Sequence, residues 1–270
     1  MIKSDHVTLD IFDVYGDDSM RDYFQGGPQI VLLIVSIYLL IVLYIGPQFM
    51  KNRLAYTLSS VMRVYNLINI LLNMGIFVVG LKATNYGLKC FQCTTDIDKL
   101  DQLLVLGGYY YLKMFDLLDT VFFVLRKKHR QVTRLHVVHH AGMPCMVWIG
   151  IKFYPYPPII LTIILNSFVH IVMYSYYYLS TNFEVKGHLW WKKYITLVQM
   201  VQLVILFVHG VVTVRCLAST LLRCLATLPL GFLLIMIHSF RMFYNQNYVN
   251  DSQKSGLHVL HTNLVNEKME

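Results

Sequence analysis

Apolar residues in this chain come in continuous runs of about twenty, at positions 28–49, 61–81, 102–125, 135–153, 159–179, 194–214 and 222–244. A helix rising 1.5 Å per residue needs about 20 mostly apolar residues to cross a bilayer. Each run therefore predicts a membrane-spanning helix, about seven in all. Strands of a membrane barrel would instead alternate polar and apolar residues over ~10 positions. The expected fold is an all-α polytopic membrane bundle occupying 28–244, with a polar lead at 1–27 and a polar tail at 245–270. Charged residues make up 14% of the chain, against about 25% in a soluble domain, and mean hydropathy is +0.51. The first run lies too far from the start, and lacks the basic flank, for a cleaved signal peptide.

Charge sets the expected orientation. The lead carries Asp5, Asp10, Asp13, Asp17, Asp18 and Asp22 against Lys3 and Arg21. Basic residues gather after the first run (Lys51, Arg53), after the third (Arg126, Lys127, Lys128, Arg130, with Arg134 beyond) and after the fifth (Lys192, Lys193). The positive-inside rule places these loops in the cytosol, the N-terminus in the lumen or outside, and the C-terminus in the cytosol. Arg215 and Arg223 run against it. The net charge of +8 thus reflects topology and anionic headgroups, not a nucleic-acid partner. Of the five cysteines, Cys90, Cys93 and Cys216 fall on the side where disulfides form. One reading pairs Cys93 or Cys90 with Cys216; the other leaves them as reduced small apolar residues. Cys90-x-x-Cys93 has no second pair to complete a metal site.

Polar residues interrupt four of the runs. Lys113, Asp116, Asp119 and Thr120 lie along one face of the third. His136, His139 and His140 stand at i, i+3 and i+4 in the fourth, so their rings share a face. Asn166 and His170 are i, i+4 in the fifth, followed by Tyr174, Tyr176 and Tyr177, and Thr196, Gln199 and Gln202 recur every three residues in the sixth. Most fall within about 5–20 Å of the cytosolic surface at helical rise. Intramembrane ionisable groups line internal cavities or pathways, so such a collection marks a functional site. Each set also has a plainer reading. Gln199 and Gln202 serve as interhelical hydrogen-bond partners, Lys113 and Asp116 as a structural ion pair, and Tyr174, Tyr176 and above all Tyr177 as interfacial aromatics. His188, His209 and His238 stand singly and read as structural or loop residues. The histidine triplet has no comparable structural purpose. Two chemistries use such a box: a membrane metal enzyme of the oxygenase type, and an enzyme using histidine as nucleophile and base. A di-iron site needs many more imidazoles than one box supplies. A seven-helix carrier or receptor with a polar core is the non-enzymatic reading.

The residues resemble the family of fatty acid elongases that condense very-long-chain acyl-CoA with malonyl-CoA. Lys113-Met-Phe-Asp116-Leu-Leu-Asp119-Thr120 is similar to that family's K-x-x-E-x-x-D-T pattern, with Asp116 standing where Glu is usual. His136 to His140 matches H-x-x-H-H, preceded by Gln131-Val132-Thr133, and Arg134 takes a position that is usually apolar. Asn166 to Tyr177 matches N-x-x-x-H-x-x-M-Y-x-Y-Y, and Thr196, Gln199 and Gln202 match T-x-x-Q-x-x-Q. The resemblance implies an acyl-chain tunnel enclosed by the helices, malonyl-CoA and acyl-CoA as substrates, no cofactor and no metal. It implies an endoplasmic-reticulum membrane location, although the tail ends with Lys268 alone where the family's retrieval signal has two lysines. It also implies association with other elongation-cycle enzymes and with further copies of the chain. His139 is then the expected nucleophile, with His136, His140 and His170 orienting it, acting as bases or serving as metal ligands. Lys113 meets carboxylate or enolate charge, Asp116 and Asp119 hold the bases, and Thr120, Asn166, Tyr174, Tyr177, Thr196, Gln199 and Gln202 bind substrate. Arg126, Lys127 and Lys128 are expected to attract CoA phosphates.

Overall fold

The computed structural model describes residues 27–93, 97–153, 157–182, 185, 187, 189–217 and 219–249. The polar lead, most of the tail, His188 and part of the 154–158 connection lie outside them. Helices carry the described chain, with no strand among these residues. In order they are α1 (Pro28–Met50), α2 (Ser59–Ala83), α3 (Lys99–Phe115), α4 (Leu118–Leu125), α5 (Arg134–Phe153), α6 (Pro157–Ser180), α7 (Lys192–Thr213) and α8 (Thr220–Tyr244).

The helices start and stop where the sequence instructs them to. Asp98 caps α3, its carboxylate accepting from the Leu100 and Asp101 amides at 3.0 and 3.2 Å, and Ser219 caps α8 through the Leu222 amide at 3.2 Å. Asn85 and Tyr86, with φ of 48° and 56°, close α2, and Lys127, with φ of 52°, closes α4. In both the next amide reaches back across the last turn, Tyr86 N to Leu81 O and Lys128 N to Phe123 O. Those bonds satisfy terminal carbonyls. Pro47 has no amide hydrogen for the turn before it, and α1 widens into a π turn over Ile41–Ile45 at that point. Gly46 beside it permits a close approach: a Cβ there would meet the Ile41 carbonyl at 2.7 Å and Val124 Cγ1 at 2.8 Å.

Five described stretches are long and apolar enough to cross a membrane: Pro28–Met50, Ser59–Ala83, Pro158–Ser180, Lys192–Cys216 and Thr220–Val249. The expected count of seven is not confirmed. The third run does not form one helix; it breaks between Phe115 and Leu118 into α3 and α4. The fourth forms the 20-residue helix α5, whose three histidines lower its hydropathy.

Packing fixes the directions. Phe77 stacks near Phe168, with ring centroids 6.0 Å apart, and Arg63 Nε donates to Thr181 Oγ1 at 3.4 Å. The partner numbers rise as the α2 numbers fall, so α2 and α6 are antiparallel. One apolar core joins Val31, Val105, Tyr109, Trp148, Ile160 and Ile164. A second joins Tyr38, Val42, Met50, Leu117 and Val124.

The two ends of the bundle differ chemically. At one, the basic connections meet: Lys127 Nζ donates to the Lys51 carbonyl at 3.5 Å and Tyr56 N to the Leu125 carbonyl at 3.1 Å. At the other, Cys93 and Cys216 form a disulfide with Cα atoms 5.0 Å apart, beside the Lys82–Asp101 ion pair at 3.0 Å. Of the two pairings open from sequence, Cys93–Cys216 forms and Cys90 stays a buried thiol. The bond closes a loop with a sequence separation of 123 residues, long enough to constrain the unfolded chain strongly. Replacing Cys216 by serine is expected to abolish the gel-mobility shift on reduction and to lower unfolding free energy by about 2–4 kcal/mol. An unchanged shift in that variant would deny the pairing.

Candidate active site

The break between α3 and α4 is where the acidic residues gather. Around Asp116 the chain tightens: Asp119 N donates to the Asp116 carbonyl at 3.2 Å, in place of a bond one residue further back. The Phe115 carbonyl loses its helical donor and instead accepts from the Tyr65 hydroxyl at 3.3 Å. Tyr65 also packs on Phe115 and Phe122, centroids 4.9 and 5.0 Å away. The tight turn brings Asp116 and Asp119 to one hydroxyl. Tyr174 OH lies 2.8 Å from Asp119 Oδ2 and 3.1 Å from Asp116 Oδ1.

Lys113 completes the cluster. Its Nζ donates to Asp116 Oδ2 at 2.7 Å, and both side chains are almost fully buried, at 3% and 4% exposure. Asp116 therefore keeps the negative charge of the Glu usual in the resembling pattern and reaches Lys113 within its own turn. The ammonium also lies 4.8 Å from the Tyr109 ring centroid, a cation–π contact. The Tyr109 hydroxyl donates to Asn166 Oδ1 at 2.8 Å. His170 stands on the same carboxylate, its Nε2 3.9 Å from Asp116 Oδ2, while Nδ1 lies 3.0 Å from the Asn166 carbonyl. A carbonyl only accepts, so Nδ1 carries the hydrogen, and in the neutral ring Nε2 holds the lone pair.

The histidine triplet projects from the first turns of α5. Thr133 caps that helix, its hydroxyl accepting from the His136 amide at 3.2 Å. Pro144, inside α5, lacks the hydrogen that would meet the His140 carbonyl. His136 and His140 stack with centroids 4.1 Å apart, and His139 meets His140 edge-on at 5.5 Å. His136 Nε2 bonds to Thr120 Oγ1 at 2.9 Å, and Thr120 to Tyr38 OH at 2.7 Å. His139 differs: its Nδ1 is buried and has no hydrogen-bond partner. No neighbour locks that nitrogen, whereas one nitrogen each of His136 and His170 is committed.

His139, Tyr109, Asn166 and Gln202 line the polar end of a cavity between α5, α6, α7 and α8. The cavity is walled mainly by aliphatic residues down to Cys216 and Leu217. From His139 to Ile151 on α5 is about 18 Å, and from Gln202 to Thr213 on α7 about 16 Å, at helical rise. That exceeds the ~15 Å of one bilayer leaflet's hydrocarbon.

Most of the expected residues thus fall into two polar groups, Lys113, Asp116, Asp119, Tyr174, Asn166 and His170 in one and Thr120 with His136 in the other, with His139 and His140 stacked beside His136. Thr196 is buried on α7. Gln199 Nε2 donates to Met173 Sδ at 3.6 Å, and Tyr177 packs edge-on to Tyr174 with centroids 6.0 Å apart. Arg126 Nη1 turns to Met62 Sδ and Lys127 to the Lys51 carbonyl, with Lys128 exposed. None of these three joins the cluster. His209 bonds to the Cys90 carbonyl and His238 is exposed, so both stand apart from the triplet. Sequence reasoning missed Tyr38, Tyr65 and Tyr109. Tyr109 sits four residues before Lys113 on its face, a usable signal. Tyr65, Asn69 and Asn73 share one face of α2 at four-residue steps, with the two asparagines wholly buried. Tyr38 is a lone tyrosine in an apolar run and gives no signal. No group of three or more His, Cys, Asp or Glu arranged to hold a metal ion occurs among the described residues.

Tyr174 is wholly buried and spans both carboxylates. Hydrogen bonds to charged groups contribute about 1.5–3 kcal/mol. Tyr174→Phe is expected to lose that amount in an equilibrium unfolding measurement in detergent; a change under 0.5 kcal/mol, roughly the level of a surface substitution, would show that the hydroxyl does not hold them.

The ELO: GNS1/SUR4 family pattern matches residues 23–256. The chain belongs to this family. It is similar to very long chain fatty acid elongase F of Drosophila simulans, 37% identical over 256 residues that cover 88% of this chain and 95% of the relative. Very long chain fatty acid elongase 5 of Mus musculus is 35% identical over 237 residues, covering 86% and 79%. The ELO match takes in all eight helices, and so the whole polar cluster and the cavity beneath it.

Proposed function

We propose that the protein catalyses the first step of fatty acid elongation, condensing a long-chain acyl-CoA with malonyl-CoA. Acyl-CoA, malonyl-CoA and a proton give 3-ketoacyl-CoA, carbon dioxide and CoA. The observation that carries this reading is the junction of the histidine cluster with a deep aliphatic cavity. An acyl tail fits the cavity, and its thioester then stops at His139. Family membership and the relatives' names support elongation as the activity.

In the proposed mechanism a neutral His139 attacks the thioester carbonyl. The C–S bond breaks, CoA leaves as a thiolate that takes up a proton, and an acyl-imidazole remains. The bond between the malonyl α-carbon and its carboxylate then breaks, releasing carbon dioxide. Its electron pair forms the new C–C bond to the acyl carbon, the C–N bond to His139 breaks, and the freed imidazole takes up the proton that the overall equation consumes. Lys113 has hydrogens left after its bond to Asp116 and offsets carboxylate or enolate charge. His136, His140 and His170 orient His139 or act as bases, Asp116 and Asp119 position Lys113 and His170, and Asn166, Gln199 and Gln202 donate to carbonyls. Thr120 and Tyr174 hold these groups in place. Thr196 and Tyr177 contact substrate near the polar end, and Arg126, Lys127 and Lys128 draw CoA phosphates to the rim.

The basic end faces the cytosol and the disulfide end the lumen of the endoplasmic reticulum, with N-terminus lumenal and C-terminus cytosolic. Two independent features support that assignment: the positive-inside rule and the need of Cys93–Cys216 for an oxidising compartment. The helical domain is 28–244, and the other enzymes of the elongation cycle and further copies of the chain are its partners.

Labelled malonyl-CoA supplied to purified protein across a ladder of acyl-CoA lengths is expected to give labelled 3-ketoacyl-CoA, with a maximum at long chains. Substrate flux without CoA release would indicate a carrier instead. Activity lost with stoichiometric metal on chelation would indicate a metal enzyme.

A further inference from the structure

Deep in the cavity one titratable ring has no part in the condensation. His209 lies on α7, 7% exposed, and lines the same cavity as His139, among Ile151, Leu206 and Leu230. Its Nε2 is 3.0 Å from the Cys90 carbonyl. A carbonyl only accepts, so Nε2 carries the hydrogen, and the neutral ring keeps a lone pair at Nδ1. The ring is held firmly. Phe91 meets it edge-on at 5.3 Å. The turn Leu88–Phe91, which supplies the carbonyl, runs directly into Cys93 and its bond to Cys216. Thr213, one turn further along α7, has its hydroxyl hydrogen committed to the His209 carbonyl at 2.8 Å. The histidine is therefore a fixed hydrogen-bond acceptor in a mainly aliphatic wall.

Such an acceptor is idle against a plain hydrocarbon chain. It becomes useful when the chain carries a donor at that depth, because a hydroxyl buried without a partner is penalised about ten-fold or more in binding. We propose that His209 is a hydroxyl-accepting subsite, and that the protein elongates long-chain acyl-CoAs carrying a hydroxyl deep in the chain. His209 lies seven residues beyond Gln202, about 10 Å further from the polar end. An extended chain advances about 1.2 Å per single bond, a third of the extended-residue length. The hydroxyl therefore belongs about nine or more bonds from the thioester. This subsite rests on the condensation reading above.

The test uses the purified full chain and a series of saturated acyl-CoAs of one length, the hydroxyl moved carbon by carbon from mid-chain to the terminus. Labelled malonyl-CoA incorporation and equilibrium binding are both measured, each relative to the unsubstituted chain. The expected result is a peak at one or two adjacent positions, within about three-fold of the unsubstituted chain, with other isomers ten-fold or more below it. His209→Gln, whose amide can donate to the Cys90 carbonyl and still offer an oxygen, is expected to keep the peak. His209→Phe is expected to remove it from the ratio. A flat profile in the native protein, which needs no variant, would overturn the subsite. So would a peak that survives His209→Phe, because another group such as Thr162 or Thr213 would then be the acceptor. If the unsubstituted chain binds but is not elongated, the condensation reading fails, while the binding profile still decides the subsite.

Discussion

His139→Ala is expected to lower condensation by at least about 1000-fold while leaving the protein folded. A nucleophile that carries the covalent intermediate cannot be bypassed by its neighbours, and removing one member of such a unit costs nearly as much as removing the whole. General acid–base help, by contrast, contributes about 100- to 10,000-fold, and its loss is often cushioned by water. The neighbours differ in kind. His136 is tied to Thr120, and His170 donates to the Asn166 carbonyl. Their replacement is therefore expected to disturb geometry and stability as well as rate. His139 Nδ1 has no such tie, so alanine there removes chemistry and little else. Turnover within ten-fold of native for His139→Ala, with circular dichroism and unfolding unchanged, would remove it from the nucleophile role.

The second large effect is expected at Lys113. Its ammonium is buried against Asp116 at 2.7 Å, with Asp119 joined to the same carboxylate through Tyr174. Deleting one partner of a buried ion pair strands the other charge and costs about 3–5 kcal/mol. Lys113→Met is expected to show that loss, because two neighbouring carboxylates then share one hydroxyl with no cation. Adding Asp116→Asn removes the stranded charge. The double variant is expected to recover most of the stability, giving a coupling above about 1 kcal/mol in a double-mutant cycle. It should recover none of the activity if Lys113 also meets substrate charge. Recovery of activity along with stability would reduce Lys113 to a structural ion pair, the plainer reading its sequence spacing allowed.

These two positions show what the sequence could carry. Helical spacing put His136, His139 and His140 on one face and Lys113, Asp116 and Asp119 near another; the structure stacks the first set ring on ring and ties the second together by hydrogen bonds. Spacing did not reveal the break at Asp116. No proline or glycine stands between Tyr109 and Leu125, so the run reads as continuous helix there, yet the tightened turn is what brings both carboxylates to Tyr174. Tyr174 itself also allowed an interfacial reading, because period alone does not tell a lipid-facing ring from one aimed at buried charge. Tyr38 was invisible, and the polar face of α2 that holds Tyr65 named no partner for it, for a related reason. Each supports the cluster from a helix distant in sequence, reaching Thr120 and the Phe115 carbonyl respectively, and only tertiary packing creates those contacts. The basic residues after the third run were legible as a topological signal. Their assignment to CoA found no contact with the cluster, since charge composition places a residue at an end without aiming it. The disulfide lay between the two cases: compartment logic narrowed the pairing to two options, and the turn Leu88–Phe91 buries Cys90 while leaving Cys93 to meet Cys216.

The covalent step is the central claim, and it can be observed without complete turnover. Purified protein would be incubated with a long-chain acyl-CoA in the absence of malonyl-CoA, quenched, and analysed by intact-mass and peptide mass spectrometry. The expected result is stoichiometric release of CoA and an added acyl mass on the peptide carrying His139, discharged on addition of malonyl-CoA and absent from His139→Ala. Full condensation activity with no acyl mass on that peptide, or with the acyl mass on another residue, would contradict it.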